Sequence, residues 1–210
     1  MITGPSDHIN AVPVIKAAWQ RVHGREPNGK EALYTQAVAV HETGYGRLGQ
    51  FADFANKGMF NWGGVQKPFN PDGTCPVGYA RGKDTIPQGG KVVDVCLAMF
   101  PSDEQAAEKY IWELTKNPHR NRETVVRAMQ GTPEDVANAM KQSGYFTADA
   151  DKYGAAIRTR AKQIGDALAG AGKSVADMSA RNPGSSALLL VLGAMGIGVA
   201  AYKYKNSNHG

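Results

Sequence analysis

The chain has 210 residues, enough for one catalytic-sized core and a short appendage, since soluble domains typically run to about 100–150 residues. Its 24 Lys and Arg against 19 Asp and Glu give a formal charge of +5, which suits an anionic partner. That surplus is small and scattered, without a basic run or aromatics interleaved with Lys and Arg, so specific nucleic-acid binding is not expected.

The N-terminus lacks the positive start and apolar run of a secretory signal, so no cleaved leader is expected. Val12, Ile15, Ala18, Trp19 and Val22 recur at helical spacing and predict a helix over 8–22. A second helix, 30–41, carries Leu33, Ala37 and Val40 on one face, and Gly44 and Gly46 end it. Residues 50–90 turn to Gly, Pro, Asn and isolated aromatics and read as loops or a small irregular lobe. The β-branched start of 91–100 predicts a strand, half of a hairpin turning at 87–90. Cys75 and Cys96 bracket several glycines and could close a small lobe. With one possible pair and no leader, the balance of the sequence stands against a disulfide. Two cysteines are too few for a zinc site, and no His-Glu-x-x-His is present, so neither a metal nor a cofactor is expected.

Helical signals then return. Ser102 caps a helix over 103–115 with Gln105 at its third position, and Asn121 caps another running through Met129. Thr132, Pro133, Glu134 and Asp135 open the next, which Gly144 ends. After a connector, 145–149, a long helix runs from about Asp149 through Leu168, and the folded part, 8–170, closes near Gly170. A linker, 171–186, leads to the apolar segment 187–204. Two readings of that segment stay open: a helix inserting in a bacterial membrane, or one buried against the domain or a partner.

Glu42 is the candidate for chemistry. It ends an apolar helical run and is followed at once by glycines, a rigid mount beside a loop that a ligand can approach closely, as a glycosidase requires of its general acid. The plain alternatives are an exposed helix-end glutamate or a partner for Arg47. A second acid is harder to find, because no glutamate lies between Glu42 and Glu104. Asp84 and Asp94, which flank the expected hairpin, are the candidates. Asn61 offers an amide to sugar hydroxyls and Trp62 a face to a pyranose ring, whereas Trp19 and Trp112 read as core. His41 points away from Glu42 on a helix and reads as structural.

Three patches resemble the glucosaminidase-type peptidoglycan hydrolases, family 73 of the glycoside hydrolases. Gln36 to Gly46 is similar to that family's Q-x-x-x-E-T-G-x-G region, although five residues here separate Gln36 from Glu42. Residues 61–65, Asn-Trp-Gly-Gly-Val, resemble the N-x-F-G-I segment, with Gly63 where an aromatic is usual. Gly144 to Asp149 with Tyr153 resembles G-Y-A-T-D-P-x-Y, with Ala148 where that family has Asp. The resemblance implies a mainly α, lysozyme-like helical domain with a small β-rich or irregular lobe, to which the sequence adds the C-terminal apolar helix. It implies cleavage of β-1,4 bonds in peptidoglycan glycan strands, most directly as an N-acetylglucosaminidase, with a muramidase, a lytic transglycosylase or a non-catalytic structural or envelope-channel protein as rivals. Glu42 would be the acid and Tyr145 would orient the acetamido group, while Asn61, Trp62, Gly64, Thr147 and Tyr153 would line the substrate site. A catalytic domain without a leader, joined to an apolar tail, fits a phage particle component that meets other phage structural proteins and acts in the host envelope.

Overall fold

The computed structural model describes residues 4–86, 91–118, 122–146 and 148–178. In chain order these form α1 (Pro5–His23), α2 (Gly29–Thr43), α3 (Gln50–Ala55), β1 (Gln66–Lys67), β2 (Tyr79–Ile86), β3 (Lys91–Ala98), α4 (Asp103–Thr115), α5 (Glu123–Ala128), α6 (Pro133–Gln142), α7 (Ala150–Gly170) and a short 3₁₀ helix at Val175–Met178. The caps expected at Ser102, Thr132 and Asp149 are in place: the Ser102 hydroxyl accepts from Gln105 N, Thr132 and Asp135 form a reciprocal box, and Asp149 accepts from Asp151 N and Lys152 N. Asn121, the cap expected for α5, lies outside the described residues, and Arg122 stands at that helix's N-cap without a side-chain cap bond.

Helix α2 is the centre of the body. Asn28 caps it, accepting from Glu31 N while the Glu31 carboxylate accepts from Asn28 N at 2.8 Å. Every residue from Glu31 to Val40 is buried. The single apolar face read from Leu33, Ala37 and Val40 is therefore too narrow a description. Alanines at 32, 37 and 39 leave room for α1, α7 and the 3₁₀ helix to close on it from several sides. The core built around it includes Trp19, Tyr34, Trp62, Tyr110 and Met178. Since Met178 is part of that core, the packed body extends past the boundary expected near Gly170.

Residues 50–90 are more ordered than their composition suggests. The three strands form an open antiparallel sheet in the order β1-β3-β2, with Gln66 opposite Leu97 and a β2–β3 register running from Tyr79↔Ala98 to Ile86↔Lys91. The expected hairpin turn, 87–90, lies outside the described residues. Gln50 on α3 serves the outer edge of β2: its carboxamide donates to Lys83 O at 2.5 Å and accepts from Lys83 N at 2.8 Å, satisfying backbone that an edge strand would leave open.

Two expectations are corrected. Cys75 and Cys96 are joined in a disulfide, with their Cα atoms 5.5 Å apart. The loop between β1 and β2 folds back over the sheet face that carries Cys96, a proximity set by strand pairing and invisible in cysteine count. The second correction concerns the fold class. The apolar segment 187–204 and the linker residues 179–186 lie outside the described residues, and among the described residues no helix is long and apolar enough to cross a membrane. The fold shown is a helical domain with a small open β-lobe, and a transmembrane helix is not one of its elements.

Burial also fixes how the body responds to acid. His23 stacks on Trp19 with ring centroids 4.5 Å apart and pairs with the Thr115 hydroxyl at 2.8 Å. Burial, reinforced by Lys116 and Arg25, pushes its pKa down to about 4. The folded protein thus refuses a proton that the unfolded chain takes up below pH 6.5, so this contribution is complete above 6.5 and is lost as pH falls toward about 4. Thermal unfolding across that window is expected to show a falling melting temperature, and His23→Gln to flatten the fall. An unchanged slope in the variant would refute the assignment.

Candidate active site

Glu42 occupies the last turn of α2, where Gly44 closes the helix in the left-handed region at φ 57°. The chain stays left-handed through Tyr45 at φ 60° and Gly46 at φ 72°. Tyr45, a residue for which this conformation is costly, is held by its buried hydroxyl, which accepts from Gln36 Nε2 at 2.7 Å and pairs with His8 Nδ1 at 2.9 Å. Gly46 is required for a second reason: a Cβ there would lie 2.7 Å from the backbone nitrogen of Asn61. The loop after Glu42 is thereby pressed against residues 61–65, and the Thr43 hydroxyl ties the two by donating to Trp62 O at 2.7 Å and accepting from Gly46 N at 2.8 Å.

The Glu42 carboxylate accepts a short hydrogen bond from the Tyr153 hydroxyl at the start of α7. Burial is the largest influence on Glu42 and raises its pKa; the Tyr153 bond opposes the rise, and the negative charge of Asp84 adds to it. The sign of the sum is upward, toward a carboxyl that keeps its proton above the ordinary glutamate range. Both plain alternatives fail. Glu42 is only partly exposed, and Arg47, its expected ion partner, is engaged by the Asp103 carboxylate. Asp103 also accepts from Trp62 Nε1 at 2.6 Å.

Of the two candidate second acids, the sheet register separates them. Asp84 lies opposite Val93 and Lys83 opposite Asp94, so Asp84 and Asp94 leave opposite faces of the sheet. Asp84 is the one that bears electrostatically on Glu42, and it accepts from Gln66 Nε2 at 2.8 Å. Asp94 is paired with Lys83 Nζ at 2.5 Å and Arg81 at 3.5 Å, and the Lys83 hydrogen bond holds its pKa below the usual carboxylate range. It is removed from the site.

Asn61 and Trp62 do not present themselves to a ligand. Asn61 is buried, its amide donating to Val65 O at 3.0 Å and Ala98 O at 3.1 Å while its carbonyl accepts from Val65 N at 2.8 Å. Trp62 is buried against Tyr45, with ring centroids 5.1 Å apart. Both brace the wall behind Glu42, because the Gly46 approach draws residues 61–65 into the core. Gly64 is part-exposed and contributes only backbone there. Thr147 lies outside the described residues. Tyr145 is half-buried on the connector after α6, its ring under the Arg122 guanidinium at 4.8 Å, and it bears electrostatically on Tyr153.

Sequence reading missed Tyr110 and Gln66. Tyr110, fully buried on α4, donates to Thr35 O at 2.8 Å and packs against Gly63, filling the space that an aromatic at 63 would take. The signal was the departure at Gly63 itself, a vacated volume that some other ring had to occupy. A shallow depression of about 280 Å³, lined by Gln66, Lys67, Pro68, Phe69, Asp94 and Val95, lies on the β-lobe without Glu42 among its walls. Glu42 is a candidate on its carboxyl chemistry rather than on surface shape. Among the described residues no group of three or more His, Cys, Asp or Glu is placed to hold a metal ion.

A helical body that mounts a part-buried glutamate, Glu42, at a helix end, with a small open sheet facing it, has the lysozyme-like arrangement. Among solved structures, the catalytic domain of the autolysin Auto from Listeria monocytogenes shares this fold, with a TM-score of 0.51 and 15% identity, covering 76% of this chain and 82% of that one. The peptidoglycan hydrolase of Sphingomonas sp. A1 and a mutant of it are similar at a TM-score of 0.49, with 20% and 19% identity over 79% and 77% of this chain and 96% and 98% of theirs. No family model and no curated protein matches the sequence.

Proposed function

We propose that the protein is a glycoside hydrolase that cleaves β-1,4 bonds of peptidoglycan glycan strands, acting as an N-acetylglucosaminidase of the glucosaminidase type. The observation that carries this reading is Glu42: a carboxyl at a helix end with its proton affinity raised by burial, hydrogen-bonded by Tyr153 and facing Asp84. In the proposed reaction Glu42 gives its proton to the bridging oxygen as the bond to the leaving sugar breaks. Asp84, on the sheet side of the site, balances the developing positive charge and orients the acetamido group or the incoming water. Tyr145 borders the same space from the connector. The fold shared with an autolysin catalytic domain supports the substrate class, and the three sequence patches support the bond. The Cys75–Cys96 disulfide supports action outside a reducing compartment.

The test is digestion of purified peptidoglycan, with mass spectrometry of the released fragments and Glu42→Gln as control. New reducing ends on N-acetylglucosamine are expected. Reducing N-acetylmuramic acid would make the protein a muramidase, an anhydro end a lytic transglycosylase, and no release above the control would end the enzyme reading.

A further inference from the structure

The Tyr153 ring, whose hydroxyl reaches Glu42, is packed against two other rings. Phe146, on the connector between α6 and α7, lies stacked on it at a centroid distance of 4.0 Å and an interplanar angle of 14°. His41, the residue before Glu42 on α2, meets it edge-on at 4.7 Å and 87°. Two other pieces of chain, α2 and the connector, thus converge on the Tyr153 phenol. We propose that Phe146 and His41 are positioning residues that act on Glu42 through the Tyr153 hydroxyl. This rests on the reading of Glu42 as the general acid.

The physical argument is one of tolerance. A hydrogen bond weakens steeply as its angle and length depart from ideal, and a proton donor must be placed to a fraction of an ångström. Tyr153 has one rotatable bond between its backbone and its ring plane and a second that turns the ring, so a stacked partner and a perpendicular one together remove the freedom that would move its oxygen. In the segment that Gly144–Asp149 resembles, position 146 is occupied by alanine, which has no ring to stack; the phenylalanine is this chain's own. His41 takes part as a ring: burial, with Arg160 adding to it, holds its pKa down and favours the neutral form. The other groups bearing on this pair are Asp84 from β2, Tyr110 from α4 and Tyr145 from the connector.

Because the Tyr153 hydroxyl favours the ionised form of Glu42, loss of that bond raises the pKa of Glu42 and moves the alkaline limb of the activity profile up. Tyr153→Phe keeps the ring and removes only the hydroxyl, so it sets the reference shift. Phe146→Ala and His41→Ala are each expected to lower kcat by about tenfold and to move the limb in the same direction, whereas in the Tyr153→Phe background each is expected to cost less than about twofold more. Phe146→Tyr, which retains a stacking ring, is expected to restore the parent profile. If thermal melting shows that Phe146→Ala does not fold, Phe146→Leu, which keeps apolar volume without a ring, takes its place in the cycle. Equal losses in both backgrounds would overturn the proposal, as would a limb that stays put or moves down, the latter signalling water admitted beside Glu42. Should Glu42→Gln retain activity, the acid assignment itself fails; should it be inactive while the cycle is additive, only the positioning role fails.

Discussion

Glu42→Gln is expected to lower cleavage of peptidoglycan by about 10²–10⁴-fold while making the protein more stable at neutral pH. Both effects come from the same cause. Burial raises the Glu42 pKa, so above that pKa the fold carries a desolvated carboxylate only partly compensated by Tyr153. For an acid raised in this way, stability is complete below the unfolded value of 4.5 and declines as pH climbs through the folded value. Glutamine fills the same space, can still accept from Tyr153 and bears no charge. Its gain is expected as a higher melting temperature near neutrality and should vanish well below pH 4.5. Dye release from labelled cell wall together with thermal unfolding at both pH values checks the pair. An active variant refutes the chemistry, and a variant that melts lower at neutral pH refutes the electrostatic account.

For Asp84→Asn the expected loss is about 10²-fold, accompanied by a downward move of the alkaline limb. The direction follows from charge: Asp84 raises the Glu42 pKa, so removing its negative charge lets Glu42 ionise at lower pH. Asp94→Asn serves as the matched control, since its carboxylate leaves the other face of the sheet and is held by Lys83 and Arg81. It should leave rate and profile within about twofold of the parent. If the two variants behave alike, Asp84 is not the second carboxylate.

The contrast between those two aspartates shows where sequence stops. Both flank a hairpin, and only the pairing of β2 with β3 decides which face each takes; that register is a long-range property absent from local pattern. Helix ends are local and were legible: Ser102, Thr132 with Asp135, and Asp149 each cap the turn their spacing implied. Helix α3 was not, since its six residues, Gln50–Ala55, are too few to display a period. Glu42 could be read from one helix end and its glycines. The inward turn of Asn61 could not, because its partners include Ala98 on β3, far along the chain, and residue type does not say which way a side chain points. The disulfide was misjudged for a related reason: compartment and count set a prior, while proximity decides the bond.

The enclosure of α2 has a consequence for how such a protein can change over time. The Glu42 carboxyl rides at the tip of an axle gripped along its length by other helices, and close-packed interiors transmit displacement rather than absorb it. A misfit of one methylene at Ala37 or Val40 would therefore travel to Glu42, so under the proposed function mutational drift in the deepest interior and drift in the chemistry would be purged by the same selection.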